Sequence, residues 1–93
     1  MTKDNREAGM PQHRAELIIL ELCMNRGAGE TIRPSEAARI IAGKTGDWRS
    51  VMGTVRGAGK KLSSKGQIEV HEKGQVVDLT TAKGPVRFGL PPR

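Results

Sequence analysis

The feature that most constrains the fold is a long amphipathic segment from Asp47 to Lys65. At about 100° per residue, its apolar and small residues fall in one contiguous arc that continues for about four helical turns. The arc consists of Trp48, Val51, Met52, Val55, Ala58, Gly59 and Leu62. An arc of this length has to pack against other elements, so the sequence predicts a helix over residues 47–65 with Asp47 as its N-cap.

This segment contains GTVRGAGKK (Gly53–Lys61), in which glycines and cations lie close together as they do in phosphate-binding loops. A P-loop requires four residues between its first glycine and the Gly-Lys pair, whereas five separate Gly53 from Gly59, and Lys61 replaces the Ser or Thr that follows. The dinucleotide-binding pattern fails because Leu62 occupies the position of its third glycine. We therefore expect a helix here, and a protein that is not an enzyme.

The glycines of this helix need an explanation, since each costs about 1 kcal/mol relative to alanine. Gly59 falls in the apolar arc, where the missing side chain is expected to let a neighbouring helix approach closely. Gly53 and Gly57 fall on the outer face. Two interpretations stay open for them: close access for a partner such as a phosphate chain, or substitutions that the helix simply tolerates.

The positive charge of the chain is confined to its second half. The 93 residues carry a net charge of +6, and residues 44–93 contain ten Lys and Arg residues against four Asp and Glu residues. A one-sided excess of this kind favours a polyanionic partner. A basic surface that only keeps the protein soluble is the other interpretation.

Composition also bears on location and on cofactors. The chain has no apolar run of membrane-spanning length, and its single cysteine, Cys23, lies in an apolar stretch where a buried reduced thiol is expected. His13 stands alone, and His71 shares a predicted strand face with Glu69, but two ligands do not make a metal site. We expect a cytoplasmic protein with no membrane association, no metal, no cofactor and no small-molecule substrate.

Two further helices are predicted ahead of the long one. Residues 1–10 are polar and aperiodic, which predicts a disordered arm. A helix is predicted to begin at Pro11 and to end at Gly27. A second is predicted for PSEAARIIAG (Pro34–Gly43), and its inward residues are Ala37, Ile40 and Ile41.

The remaining pattern predicts strands. Apolar residues alternate in QIEVHE (67–72) and again in VRFGL (86–90), which predicts an antiparallel pair. The residues between them, 73–85, are predicted to form a long connection in which Asp78 caps one helical turn. A short strand is predicted for TIR (31–33), and residues 91–93 form a tail.

The order of these elements favours one architecture. Helix, short strand, helix, four-residue turn, longer helix and two-stranded hairpin is the order of a winged helix-turn-helix domain. The sequence therefore predicts an α+β fold of three helices and a small antiparallel β-hairpin, the wing, over residues 11–90.

From about Ala15 to Leu90 the sequence also resembles a small bacterial family, domain of unknown function 3253. The stretches that carry the resemblance are TIRPSEAAR (Thr31–Arg39), DWR (Asp47–Arg49), Val55-Arg56, KGQIEV (Lys65–Val70), KG (Lys73–Gly74), Val77-Asp78 and AKGPVR (Ala82–Arg87). Gly57 and Gly59 depart from the family, in which alanine is more usual at both positions. The resemblance implies a winged-helix domain, and it implies no particular activity.

The exposed face of the long helix predicts a partner. From Arg49 to Lys65 it carries cations and no acid, whereas an ordinary solvated helix pairs opposite charges at i, i+4. In helix-turn-helix proteins this helix enters the major groove, so we expect double-stranded DNA as the partner. The residues predicted to face bases are Arg49, Ser50, Gly53 and Thr54. Those predicted to lie near phosphates are Arg56, Lys60 and Lys61, with Lys73, Lys83 and Arg87 on the wing.

Two alternatives accompany this prediction. Arg49 could instead brace Trp48 or pair with Asp47 or Glu36. The domain could also be a protein-interaction or homodimerisation module that does not bind nucleic acid, because winged domains serve both purposes. The first helix is apolar on two faces, and the second face is the candidate dimer surface if other elements leave it uncovered. That face consists of Leu17, Leu20 and Met24.

Overall fold

The computed structural model describes residues 3–44, 46–82 and 84–92, with side chains from residue 12 onward. In this part of the chain, the fold consists of three α-helices and a four-stranded antiparallel sheet. The elements are α1 (Lys3–Arg26), β1 (Thr31–Ile32), α2 (Pro34–Ala42), a 3-10 turn (Trp48–Val51), α3 (Met52–Ser64), β2 (Glu69–Glu72), β3 (Gln75–Val77) and β4 (Arg87–Gly89). The α+β class and the three helices are confirmed. Lys83, predicted to contact DNA, lies outside the described residues.

The first helix begins at Lys3, ahead of Pro11 where the sequence places its start. The helix continues through Pro11 because proline has a helical φ. The cost of proline inside a helix is the missing N–H donor and the crowding of an earlier carbonyl. The predicted end is confirmed, because Gly27 has a φ of 98° and its N–H donates to the Cys23 carbonyl at 2.9 Å. The division into an arm, a domain over 11–90 and a tail stays a prediction.

The second helix shows one error in the predicted core. Ala37 is buried and Ile41 is half-buried as expected, but the side chain of Ile40 is 48% exposed and Ala38 is buried in its place. The inward face of this short helix is therefore centred on Pro34, Ala37 and Ala38. Small residues on that face let α2 approach its neighbours closely, so the larger Ile40 is left at the rim.

The long amphipathic segment forms a helix as predicted, although its first turn is of the 3-10 type. The Asp47 carboxylate accepts a hydrogen bond from the Arg49 backbone N–H at 3.1 Å, which confirms Asp47 as the N-cap. Along α3, Val55, Ala58 and Leu62 are buried, so the predicted apolar arc does face the core. None of the helices in the described part of the chain is both apolar and long enough to span a bilayer.

The strands form one sheet in the order β1-β4-β2-β3, with every neighbouring pair antiparallel. Phe88 is opposite Ile32 on one side and Val70 on the other, and all three side chains are buried against the helices. Because side chains alternate along a strand, Thr31 and Arg87 belong to the opposite face of the sheet.

The predicted long connection after Glu72 is wrong. Lys73 and Gly74 have φ values of 54° and 82°, and they form a two-residue turn between β2 and β3, in which Glu72 pairs with Gln75. Two successive positive φ values are typical of a type I′ hairpin turn. The sequence hides this turn because Asn-Gly or Asp-Gly, and not Lys-Gly, is its usual signature. Asp78 does cap a turn as predicted, since its carboxylate accepts from the Thr80 N–H at 2.9 Å.

Candidate nucleic-acid interface

Trp48 begins the 3-10 turn, and two guanidinium groups lie over its ring. The Cζ atom of Arg39 is 4.5 Å from the ring centroid and that of Arg49 is 4.6 Å from it. Cation–π attraction of this kind orients both side chains. Of the open interpretations for Arg49, bracing of Trp48 is therefore confirmed, and contact with a base stays a prediction.

Three of the cations predicted on the exposed face of the long helix fall along one side of it at about 100° per residue, and we call them the stripe. They are Arg49, Arg56 and Lys60. Arg49 and Lys60 are exposed and Arg56 is half-buried. None of the three forms an ion pair with a described side chain. The helix therefore presents positive charge that the described acids do not neutralise at close range.

One acid lies near this stripe without pairing to it. The pKa of Asp78 is lowered, first by the hydrogen bonds from the Thr80 N–H and hydroxyl, and to a smaller extent by the charge of Lys60. Asp78 is exposed, so solvent screens most of this interaction.

The predicted base-facing residues have different surroundings. Ser50 is exposed, and its hydroxyl donates to the Asp47 carbonyl at 2.7 Å. Gly53 is exposed, and apart from its chain neighbours and its own helix backbone no described atom lies within 4 Å of the place where its Cβ would be. Thr54 is half-buried. Ser50 and Gly53 thus leave an open surface beside Arg49, whereas Thr54 is partly covered.

A groove of about 640 Å³ lies between the start of α2, the start of α3, the β2–β3 turn and β4. Four cations from these separate elements line it, and we call it the cationic groove. They are Arg33, Arg56, Lys73 and Arg87. None of the described residues that line it is acidic, so the structure brings Arg56, Lys73 and Arg87 together as an anion-attracting surface.

Arg87 lies in the second strand of the hairpin that the sequence predicted, and its contact with DNA stays a prediction. This residue lies at the start of β4, where its Nε donates to the Thr31 hydroxyl at 2.5 Å and its Nη2 to the Thr31 carbonyl at 3.4 Å. The side chain is half-buried and held against the sheet. It therefore lines the inner wall of the groove, whereas Lys73 lies at the tip of the hairpin.

Residues 12–91 match the family described as "Protein of unknown function (DUF3253)". The chain belongs to the DUF3253 family. The match confirms the resemblance in the sequence and includes every residue that lines the cationic groove. The comparison with curated proteins gave no match.

Arg33 is a groove residue of this DUF3253 chain that the sequence did not reveal. It precedes Pro34 at the N-cap position of α2, and its backbone N–H donates to a Glu36 carboxylate oxygen at 2.8 Å. The available signal was the Arg33-Pro34 dipeptide. A proline that opens a helix puts the residue before it at the helix N-cap.

Two residues of the groove, Arg33 and Arg87, help to lower the pKa of Glu36. Burial alone would raise its pKa, but the Arg33 N–H, the hydrogen bond and charge of Arg26 and the charge of Arg87 together lower it. Its other carboxylate oxygen accepts from Arg26 Nη2 at 2.5 Å. Glu36 is thus engaged with α1 and with the start of α2, and it does not line the groove.

Lys61 of the DUF3253 chain lies on a different side of α3 from Arg56. Its Nζ is 3.7 Å from Oε2 of Glu16 in α1, and the Glu16 side chain is only 9% exposed. A Cβ on Gly57 would lie 3.1 Å from Oε1 of Gln12, so α1 covers this side of the helix. The prediction that Gly57 lies on the outer face is wrong, and Lys61 belongs to the α1–α3 contact.

The predicted dimer surface is partly used by the domain itself. Leu17 and Met24 are 54% and 62% exposed. Leu20 is half-buried and packs against the hydrophobic core. Two of the three predicted residues therefore form an exposed apolar pair on α1.

Proposed function

We propose that this DUF3253 protein is a DNA-binding winged-helix protein, in which α3 enters the major groove and the wing is the β2–β3 hairpin rather than the predicted pair of strands 67–72 and 86–90. The element order supports this assignment, since a helix, a short strand, two helices and a hairpin follow one another. The pairing of β1 with β4 supports it as well, because it joins the strand between the first two helices to the sheet that carries the hairpin.

The observation that carries the proposal is the charge of one surface. Arg56 on α3 and Lys73 on the hairpin turn face the same groove, and none of the described residues around it is acidic. Arg49 and Lys60 extend the charge along the helix without ion pairs to described residues. Phosphate contacts from basic side chains provide most of the affinity of such proteins for DNA.

Each group has an expected role in the complex. Arg56, Lys60 and Lys73 contact phosphates, and these contacts orient the protein without reading sequence. Ser50 and the open backbone at Gly53 lie where base edges are approached from the first turns of the helix. Arg49 reads guanine if its guanidinium leaves the Trp48 ring, since Arg donates two hydrogen bonds to that base.

The test is a fluorescence-anisotropy titration of random duplex DNA at several salt concentrations. With about three phosphate contacts, log K should fall against log salt with a slope of about −3. Arg56→Ala should reduce both the affinity and the slope, by about one unit for the slope. Lys61→Ala is the matched control on the same helix, since Lys61 pairs with Glu16. Absence of binding at low salt would exclude the proposal.

A second candidate is a homodimer formed through α1, and the exposure of Leu17 and Met24 favours it. Association should then depend on protein concentration and should be abolished by Leu17→Glu. Analytical ultracentrifugation measures this directly. Leu20→Glu is not a clean variant, because Leu20 packs against the core. A monomer at all concentrations would exclude this candidate and leave the DNA proposal untouched.

A further inference from the structure

The cationic groove has an apolar wall. A nucleic-acid backbone that contacts only the cations of the groove would leave this wall unused. Trp48, Met52 and Val86 line it together with the cations. Its volume of about 640 Å³ lies within the range of about 300–1,000 Å³ that is typical of small-molecule sites. A lining of this kind fits a ligand that is anionic at one end and apolar at the other.

The charge of the groove indicates the kind of anion. Arg33, Arg56, Lys73 and Arg87 come from four separate elements, and none of the described lining residues is acidic. Like charges held together destabilise a fold unless a counter-ion joins them. A phosphate monoester carries a charge of about −1.5 to −2 at neutral pH and three acceptor oxygens, so it neutralises such a cluster better than a single carboxylate does.

One of these cations is already oriented. Arg87 uses its Nε and one Nη2 hydrogen on Thr31, and a guanidinium has five N–H donors in total. The remaining donors are fixed in direction, because the side chain is half-buried against the sheet. A side chain that is held in place before binding loses less conformational entropy when a ligand arrives.

We propose that the cationic groove binds a small phosphate monoester with an apolar or aromatic body. The phosphate lies among Arg56, Lys73 and Arg87, and the body lies against Met52 and Val86. The Trp48 ring, which already contacts Arg39 and Arg49, forms part of the wall. This ligand site goes beyond the proposed function, and its test contains no DNA.

The probe is phenyl phosphate, with inorganic phosphate and phenol as its two separate halves. Trp48 is the only tryptophan in the chain and lines the groove, so its fluorescence reports binding there. Phenyl phosphate should give a saturable change. Inorganic phosphate should bind roughly tenfold more weakly, because it buries no apolar surface. Phenol should also bind roughly tenfold more weakly or worse, because it lacks the charge-assisted hydrogen bonds.

Variants locate the site. Arg56→Met should weaken phenyl phosphate by roughly tenfold or more, because a hydrogen bond to a charged group is lost. Lys73→Asn should weaken it as well, and asparagine tolerates the positive φ of the hairpin turn. Lys61→Met is the matched control and should bind as the wild type does, since Lys61 faces Glu16. Circular dichroism confirms that each variant is folded.

Three results would overturn the inference. They are the lack of any saturable change with phenyl phosphate, equal affinity for phenyl phosphate and one of its halves, and unaltered affinity in both folded groove variants. Because no DNA is present, failure of this titration says nothing against DNA binding. Equally, a protein that fails to bind duplex DNA can still give the predicted titration.

Discussion

Gly59 of α3 lies directly against the ring of Phe88 in β4: a Cβ built on Gly59 would be 2.5 Å from the ring Cζ atom. Phe88 is fully buried in the centre of the sheet. The sequence predicted a close approach at Gly59 but expected a neighbouring helix, whereas an aromatic side chain of the sheet occupies the space. This glycine therefore sets the distance between α3 and the sheet that carries the groove.

Gly59→Ala should destabilise the protein by roughly 1 kcal/mol. Overpacking of a core costs about 1–3 kcal/mol, and the better helix propensity of alanine returns about 1 kcal/mol. Gly53→Ala is the matched control, since apart from its chain neighbours and its own helix backbone no described atom lies within 4 Å of the added Cβ. It should stabilise the helix by up to about 1 kcal/mol. Urea unfolding of both variants measures the difference.

The double variant tests the contact itself. Phe88→Leu shortens the side chain that Gly59 faces, so the cost of Gly59→Ala should be smaller in the Phe88→Leu background than in the wild type. If the cost is the same in both backgrounds, the two residues are not coupled and the close contact is wrong.

Cys23 should be an unreactive thiol in the native protein. It is fully buried, and burial raises its pKa from 9.0 to about 11; the charge of Arg26 opposes this increase, and that of Glu36 adds to it. The pKa of the thiol is higher in the folded protein than in the unfolded chain. The stability that comes from keeping the thiol protonated is therefore complete below pH 9.0 and is lost as the pH rises towards about 11. The free energy of unfolding should therefore fall more steeply over this window in the wild type than in Cys23→Ala, which has no thiol to titrate. Parallel slopes would contradict the burial.

Glu36 should contribute to stability in the opposite pH range. Burial would raise its pKa, but the hydrogen bonds from Arg33 and Arg26 and the charges of Arg26 and Arg87 lower it below 4.5. The contribution is therefore present above pH 4.5 and is lost as the pH falls through the lower folded pKa. Glu36→Gln should cost roughly 1 kcal/mol at neutral pH and little in acid. Glu21→Gln, at an exposed position of α1, is the control. A difference that does not change with pH would contradict this account.

Local signals in the sequence were enough to place the three helices, although they did not give the start of α1 at Lys3. Asp47 caps the 3-10 turn and Gly27 ends α1 because a short polar side chain and a missing Cβ act on their own backbone neighbourhood. The apolar residues at helical spacing over 48–62 pack in or against the core, because the core has to cover that face of the helix. These features depend on residues a few positions apart, which a sequence displays directly.

The groove depends on contacts that periodicity does not reveal. Arg87 is fixed by Thr31, 56 residues away in the chain. Lys61 and Arg56 have the same charge and lie on the same helix. They differ because α1 brings Glu16 beside Lys61, whereas Arg56 lines the groove. The register of β4 beside β1 decides which cations meet, and the sequence alone gave no register for that pair.

The most direct test of the account is a map of the protein surface that duplex DNA perturbs. Amide chemical shifts of the ¹⁵N-labelled protein are recorded as a short duplex is added at low salt. We predict perturbations at residues 49–60 and at Lys73 and Gly74, with Leu17 to Met24 of α1 unchanged. Perturbations confined to α1, or absent from both α3 and the hairpin turn, would contradict the proposal that this cationic surface binds DNA.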